Sequence, residues 1–171
     1  MLISESDMLF GDFDEANCFW IEKTDIYQRF SGKGIKSVEF VLHRPEIRDL
    51  LFVEGRSSLP AQANVERYNE EISEISQKFM DSLQLTCGIW FGEHNTKVDV
   101  PRNCNFFLEY GTQIKFVLVI KDRRGKLASI AERIKREILR EYKLWGFKVI
   151  VMNEELAIKD NLVIGEIASR I

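Results

Sequence analysis

Two runs decide the fold: Ile35-Lys36-Ser37-Val38-Glu39-Phe40-Val41-Leu42 and Asp49-Leu50-Leu51-Phe52-Val53-Glu54-Gly55-Arg56. The first alternates: Ile35, Ser37, Glu39 and Val41 fall on one side, Val38, Phe40 and Leu42 on the other, as in a strand. The second has an almost unbroken apolar body, Leu50 to Val53, which predicts a strand buried on both faces. Between them, His43-Arg44-Pro45-Glu46-Ile47-Arg48 is polar and holds a proline, so the two strands form a hairpin. Each strand carries one acid inside its apolar run, Glu39 in the first and Glu54 in the second.

Outward from this hairpin the pattern changes period. After the breaker Ser57-Ser58-Leu59-Pro60, apolar Val65, Tyr68, Ile72, Ile75, Phe79 and Leu83 recur at helical steps. A helix is expected from Asn64, its cap, to about Cys87, with Glu70, Glu71, Glu74, Gln77, Lys78 and Asp81 on a solvated face. Residues 92–112 read as a long irregular connection. Ile114 to Ile120 reads as a central strand. Lys126 to Lys143 reads as one helix with Leu127, Ile130, Ile134, Ile138 and Tyr142 inward, stopped by Gly146. Phe147 to Met152 reads as a buried strand, after which Asn153 caps a helical tail. Upstream, Cys18 to Ile21 reads as a strand and Thr24 caps a turn of helix, while residues 1–16 show few regular signals. Strands alternating with helices in the second half imply parallel pairing, and the hairpin implies antiparallel pairing in the first. The expectation is an α/β fold, a mixed central β-sheet flanked by helices, in one domain over residues 1–171.

The chemistry-bearing residues lie on the hairpin. An ionised carboxylate among apolar neighbours is costly unless it is paired or bound to a cation. Adjacent strands can set Glu39 and Glu54 side by side, and Arg56, two positions on, shares the face of Glu54. Two carboxylates suit Mg²⁺, which takes oxygen ligands from one or two carboxylates plus waters and phosphates. An arginine alongside can stabilise charge on phosphorus. A salt bridge on a sheet face would use the same three residues.

Here the sequence resembles the PD-(D/E)xK nuclease superfamily, which carries an acid on one hairpin strand and an acid-x-Lys motif on the next. Glu39 corresponds to the first acid and Glu54-Gly55-Arg56 to the acid-x-Lys motif; the following helix and strand keep the superfamily's order. Phe19-Trp20-Ile21-Glu22-Lys23, Val38-Glu39-Phe40-Val41 and Leu51-Phe52-Val53-Glu54 are also similar to a little-characterised group of bacterial proteins. Those commonly read Glu-Ala-Lys-Ser-Ser where this chain has Glu54-Gly55-Arg56-Ser57-Ser58. The resemblance implies a restriction-endonuclease-like core and a Mg²⁺- or Mn²⁺-dependent DNA phosphodiesterase. Glu39 and Glu54 would be its metal ligands, Glu39, Glu54 and Arg56 its catalytic residues, and Glu22 (or its neighbour Asp25) an upstream acid. The motif is degenerate, since arginine stands at the lysine position and is bulkier and effectively always charged. The alternative is a non-catalytic binding module on the same fold, as a homodimer or with a protein partner.

The remaining features narrow the field. Segment 121–143 has nine basic and four acidic side chains, a balance of +5, which leaves −8 for the rest of a chain whose net charge is −3. A solvated amphipathic helix accounts for that segment; DNA phosphate contacts through Arg123 and Arg124 are the sharper expectation. Cys18, Cys87 and Cys104 are too widely spaced for a disulfide framework or zinc ribbon and read as buried apolar residues. Ser31-Gly32-Lys33-Gly34 lacks the spacing of a phosphate-binding loop and reads as a turn, and His94 lacks a partner at any catalytic spacing. The start has no basic region followed by a long apolar run, and no apolar run approaches the ~20 residues of a membrane span, so a cytoplasmic protein is expected.

Overall fold

The sheet is organised around the second of the two runs. A computed structural model describes residues 1–90, 101–105, 111–122 and 125–165. Its strands are β1 (Ile3–Glu5), β2 (Met8–Phe10), β3 (Cys18–Phe19), β4 (Phe40–Arg44), β5 (Asp49–Arg56), β6 (Gln113–Ile120) and β7 (Lys148–Asn153). Its helices are α1 (Asp25–Phe30), α2 (Val65–Trp90), α3 (Leu127–Glu137), α4 (Leu139–Trp145) and α5 (Glu154–Lys159). Five strands pair in the order β3-β4-β5-β6-β7. β3, β4 and β5 are antiparallel to their neighbours, whereas β5, β6 and β7 run parallel. The mixed sheet flanked by helices is therefore as expected, with β5 at its centre.

Both faces of β5 are covered, as its apolar run requires. Leu50 and Phe52 face α2 and α3 together with Ile72, Ile75, Phe79, Phe116 and Ile130. Phe79 stacks on Phe116 with ring centroids 4.8 Å apart. Leu51 and Val53 face the opposite core with Phe10, Phe40, Val117 and Ala157. That second core is closed by a β1–β2 hairpin, unexpected from the sequence, whose turn residues Ser6 and Asp7 take positive φ of 52° and 58°. Phe10 of this hairpin lies over β5 at Gly55, where an added Cβ would sit 3.3 Å from its ring.

Three boundaries differ from expectation. The first hairpin strand begins at Phe40, not Ile35. The backbone N–H groups of Lys36 and Val38 donate to the Asp81 and Ser82 side chains of α2, at 2.9 and 2.8 Å, so this segment hangs from the helix and not from a strand ladder. The expected strand at Cys18 to Ile21 is only two residues long, because Ile21–Lys23 coils into a 3-10 turn. The helix expected over 126–143 is two helices, broken at Ile138 (φ −111°, ψ 31°) with the apolar stripe unbroken. Thr24 and Asn153 cap α1 and α5 through their side chains, and Gly146 ends α4 at φ 66°. Ser31–Lys33 is a 3-10 turn ended by Gly34. The long connection expected over 92–112 is described only as a 3-10 turn at Arg102–Asn105, and His94 lies outside the described residues. No described helix is long and apolar enough to cross a membrane.

Ser82 is completely buried, and its hydroxyl accepts the Val38 N–H. Ser82→Ala should lower the unfolding free energy by about 1–3 kcal/mol, the cost of a buried donor left unmet. Urea denaturation reads this; an unchanged midpoint would show that the 35–39 segment does not depend on α2.

Candidate functional site

Glu54 is the residue from which the site is built. It follows Phe52 on the α2-facing side of β5 and is fully buried. A bare carboxylate there would be prohibitive, and two cations answer it. Lys78 of α2 donates to Glu54 Oε1 at 2.8 Å, and Arg56 Nη1 lies 2.9 Å from the same oxygen. The other oxygen, Oε2, is buried and has no hydrogen-bond partner. Burial pushes the Glu54 pKa up, against the pull of Lys78 and Arg56.

Glu39 stands beside it. The Glu39 N–H donates to the Val53 carbonyl at 3.1 Å, one step beyond the Phe40–Val53 pair of the hairpin. Its carboxylate lies 4.0 Å from Lys78 Nζ, so one ammonium serves both acids. The hairpin thus brings Glu39 and Glu54 together as expected. Burial, and then the nearby Glu54 charge, push the Glu39 pKa up to about 7, with Lys78 opposing. Glu5 and Glu22 add to that upward push. Glu22 is held by the Ser37 hydroxyl, which donates to its Oε1 at 3.1 Å, whereas Asp25 is exposed in the first turn of α1. Of the two upstream acids, Glu22 is the one near the site.

Arg56 faces carboxylates on three sides. Besides Glu54, its Nη2 donates to Glu74 Oε1 at 3.1 Å, and its Nε lies 2.8 Å from Glu71 Oε1. The Nε contact is an ion pair without hydrogen-bond alignment, since that nitrogen has no hydrogen-bond partner. Glu74 is further tied to Lys36 at 3.2 Å. Arg56 is thus a cross-link between β5 and α2, with its charge spent inside the protein.

Lys78 is the site residue the sequence reading missed. It stands with Glu71 and Glu74 at helical spacing, which reads as a solvated face. The three form instead a stripe flanking the apolar one and turned toward β5. The legible signal was the two unpaired acids in the hairpin, which demand cations from a neighbouring element.

Arg123 and Arg124 lie outside the described residues. The chain just before them is fixed to the end of β5: the Lys121 N–H donates to the Arg56 carbonyl and the Asp122 N–H to the Ser57 carbonyl. The cysteines are free, and burial pushes the Cys18 and Cys104 thiols up to about 12, which favours the protonated thiol.

The donor set can hold a hard cation only thinly. Among the described residues no group of three or more His, Cys, Asp or Glu converges as a metal site. Glu39 and the unpartnered Oε2 of Glu54 would supply two carboxylates, a number that suits Mg²⁺ with water and phosphate filling the shell. Comparison of the chain with protein-family models, curated proteins and solved structures finds no match.

The raised Glu39 pKa has a definite sign. Between its ordinary value of 4.5 and about 7 the folded state holds a proton that the unfolded chain releases. Its contribution is therefore present at low pH and lost as pH rises through about 7. Relative to wild type, Glu39→Gln should gain roughly 2–3 kcal/mol of stability as pH rises from about 5 to about 8. Urea unfolding across pH measures this; parallel curves for the two proteins would contradict it.

Proposed function

We propose that Glu39, Glu54 and Lys78 form the site of a Mg²⁺- or Mn²⁺-dependent DNA phosphodiesterase with a restriction-endonuclease-like core. The observation that carries the reading is the asymmetry of Glu54. One oxygen is saturated by Lys78 and Arg56, while the other is buried, unpartnered and beside a second carboxylate. The order of hairpin, α2, β6 supports the same reading, because it is the order the nuclease resemblance implies.

In this reading Glu39 and Oε2 of Glu54 hold the cation. When bound, it would polarise the phosphodiester and activate a water. Glu39 must give up its proton to take part, so cation binding strengthens as pH rises through about 7. Lys78 supplies the compact ammonium that the motif position lacks, and its charge faces the charge developing on phosphate. Arg56 is a positioning residue: it fixes the Glu54 carboxylate and anchors α2. Glu22 adds a smaller negative charge near Glu39. DNA backbone contacts are assigned to the basic segment after β6, through Arg123 and Arg124.

The test is cleavage of double- and single-stranded DNA with Mg²⁺ or Mn²⁺. Glu54→Gln and Lys78→Met should each cut activity at least ~100-fold, the usual range for losing a preorganised charge at a phosphoryl site. Arg56→Lys should retain most of it. Cleavage that survives Glu54→Gln would remove the site.

A second reading is a non-catalytic interaction module, as a homodimer or with a protein partner. It is favoured by the closure of Glu54 and by the exposed apolar residues of α4, Leu144 (75%) and Trp145 (46%). A wild type that cuts no DNA under any metal, yet self-associates until Leu144→Glu is introduced, would select it.

A further inference from the structure

The two edges of the five-stranded sheet differ in how they are closed. At one edge, β3 is only two residues long, and the Arg102–Asn105 turn lies against the chain that enters it. The Asn103 N–H donates to the Ala16 carbonyl at 2.9 Å, and the Cys104 thiol to the Asn17 carbonyl at 3.3 Å. A short, covered edge keeps a sheet from pairing with other chains. At the other edge, β7 runs six residues, Lys148-Val149-Ile150-Val151-Met152-Asn153, paired with β6 in unbroken register and so without a bulge. It holds no proline, no glycine and no charge after Lys148. Its outer side takes no backbone hydrogen bond among the described residues. Such an edge is a ready template for strand addition.

The faces of β7 are already in use. Val149 and Val151 lie in the core with Ile130 and Ile134 of α3, while Ile150 and Met152 pack on the core that holds Ala157 of α5. Ile150 and Met152 nevertheless stay partly exposed, side by side on one face of the strand.

We propose that β7 is the seam of a two-fold homodimer, in which the β7 strands of two copies pair antiparallel and join their sheets into one. An antiparallel pair of identical strands satisfies a two-fold axis, because residue i meets j as j meets i. With the axis at Val151, Ile150 of each copy lies opposite Met152 of the other, so the partly exposed apolar residues form cross-strand pairs. The same register sets Lys148 opposite Glu154 of the second copy, once at each end of the seam. Lys148 is exposed and Glu154 partly exposed, and neither forms an ion pair among the described residues. With the axis at Ile150 instead, Lys148 would face Met152, a charge without a match. This charge complementarity lies within one chain and points to a second copy over an unrelated peptide. The seam rests on neither functional reading, since β6 separates it from the strand that carries Glu54.

Sedimentation equilibrium of the full chain over a range of concentrations is the test. Wild type should form a reversible dimer, and amide exchange over residues 148–153 should slow as it forms. Lys148→Glu sets acid against acid at both ends and should weaken the dimer at least ~10-fold. Adding Glu154→Lys to that variant should restore it. A monomer at every concentration would overturn the seam and leave the edge to an extended segment of a different protein. A dimer that Lys148→Glu leaves unchanged, or that the double variant fails to restore, would also overturn it. So would a dimer lost on Leu144→Glu, which would put the contact on α4. None of these outcomes is read from DNA cleavage, so each stands apart from the test of the Glu54 site.

Discussion

The structure depends on one buried charge. Glu54 sits in the central strand with no exposure, and a carboxylate so placed costs several kcal/mol unless cations meet it. Lys78 and Arg56 meet it, and their own positions follow from that need. Lys78 fixes the rotation of α2 about its axis. Arg56 draws Glu71 and Glu74 of the same helix onto the end of β5. With α2 so oriented, Asp81 and Ser82 face the 35–39 segment and take its amides, which delivers Glu39 to the side of Glu54. One ion-pair network thus sets helix, hairpin entry and acid pair together. Such networks more often fix geometry than add net stability, and here the geometry is a carboxylate with one oxygen tied and one free.

Much of the frame was legible in the residues. The apolar run of β5 gave a strand with the observed bounds, because a short unbroken apolar run flanked by charged residues fits a strand covered on both faces. The 3.6-residue spacing gave α2 to within a few residues, and Thr24, Asn153 and Gly146 act as caps or stops for reasons local to each. What escaped lies where tertiary contacts override local preference. Alternation over 35–42 looked like a strand, but α2 side chains satisfy the amides first. The β1–β2 turn uses Ser6 and Asp7 at positive φ, without the Asn-Gly signal that marks such turns. The break at Ile138 has neither glycine nor proline, so its apolar stripe continues across it unannounced.

The site was half legible for a similar reason. Glu39, Glu54 and Arg56 stand out as charges inside apolar strands, and their meeting follows from hairpin pairing. Lys78 does not stand out, because a lysine on the polar side of a helix is the commonest of residues; only the need to neutralise Glu54 singles it out. The two cations meet the acids in different ways. Arg56, with its planar fork, lies against three carboxylates at once. Lys78 reaches both acids from α2 with a single ammonium.

Diffraction from Mn²⁺-soaked crystals, collected near the manganese absorption edge, decides whether the acid pair holds a cation. One anomalous peak is expected within coordination distance of Glu54 Oε2 and a Glu39 oxygen, present above about pH 7 and absent in Glu54→Gln. A fully ordered Glu39–Glu54–Lys78 cluster with no peak at saturating Mn²⁺ would contradict it, and would leave the acid pair as part of the fold's internal ion-pair network.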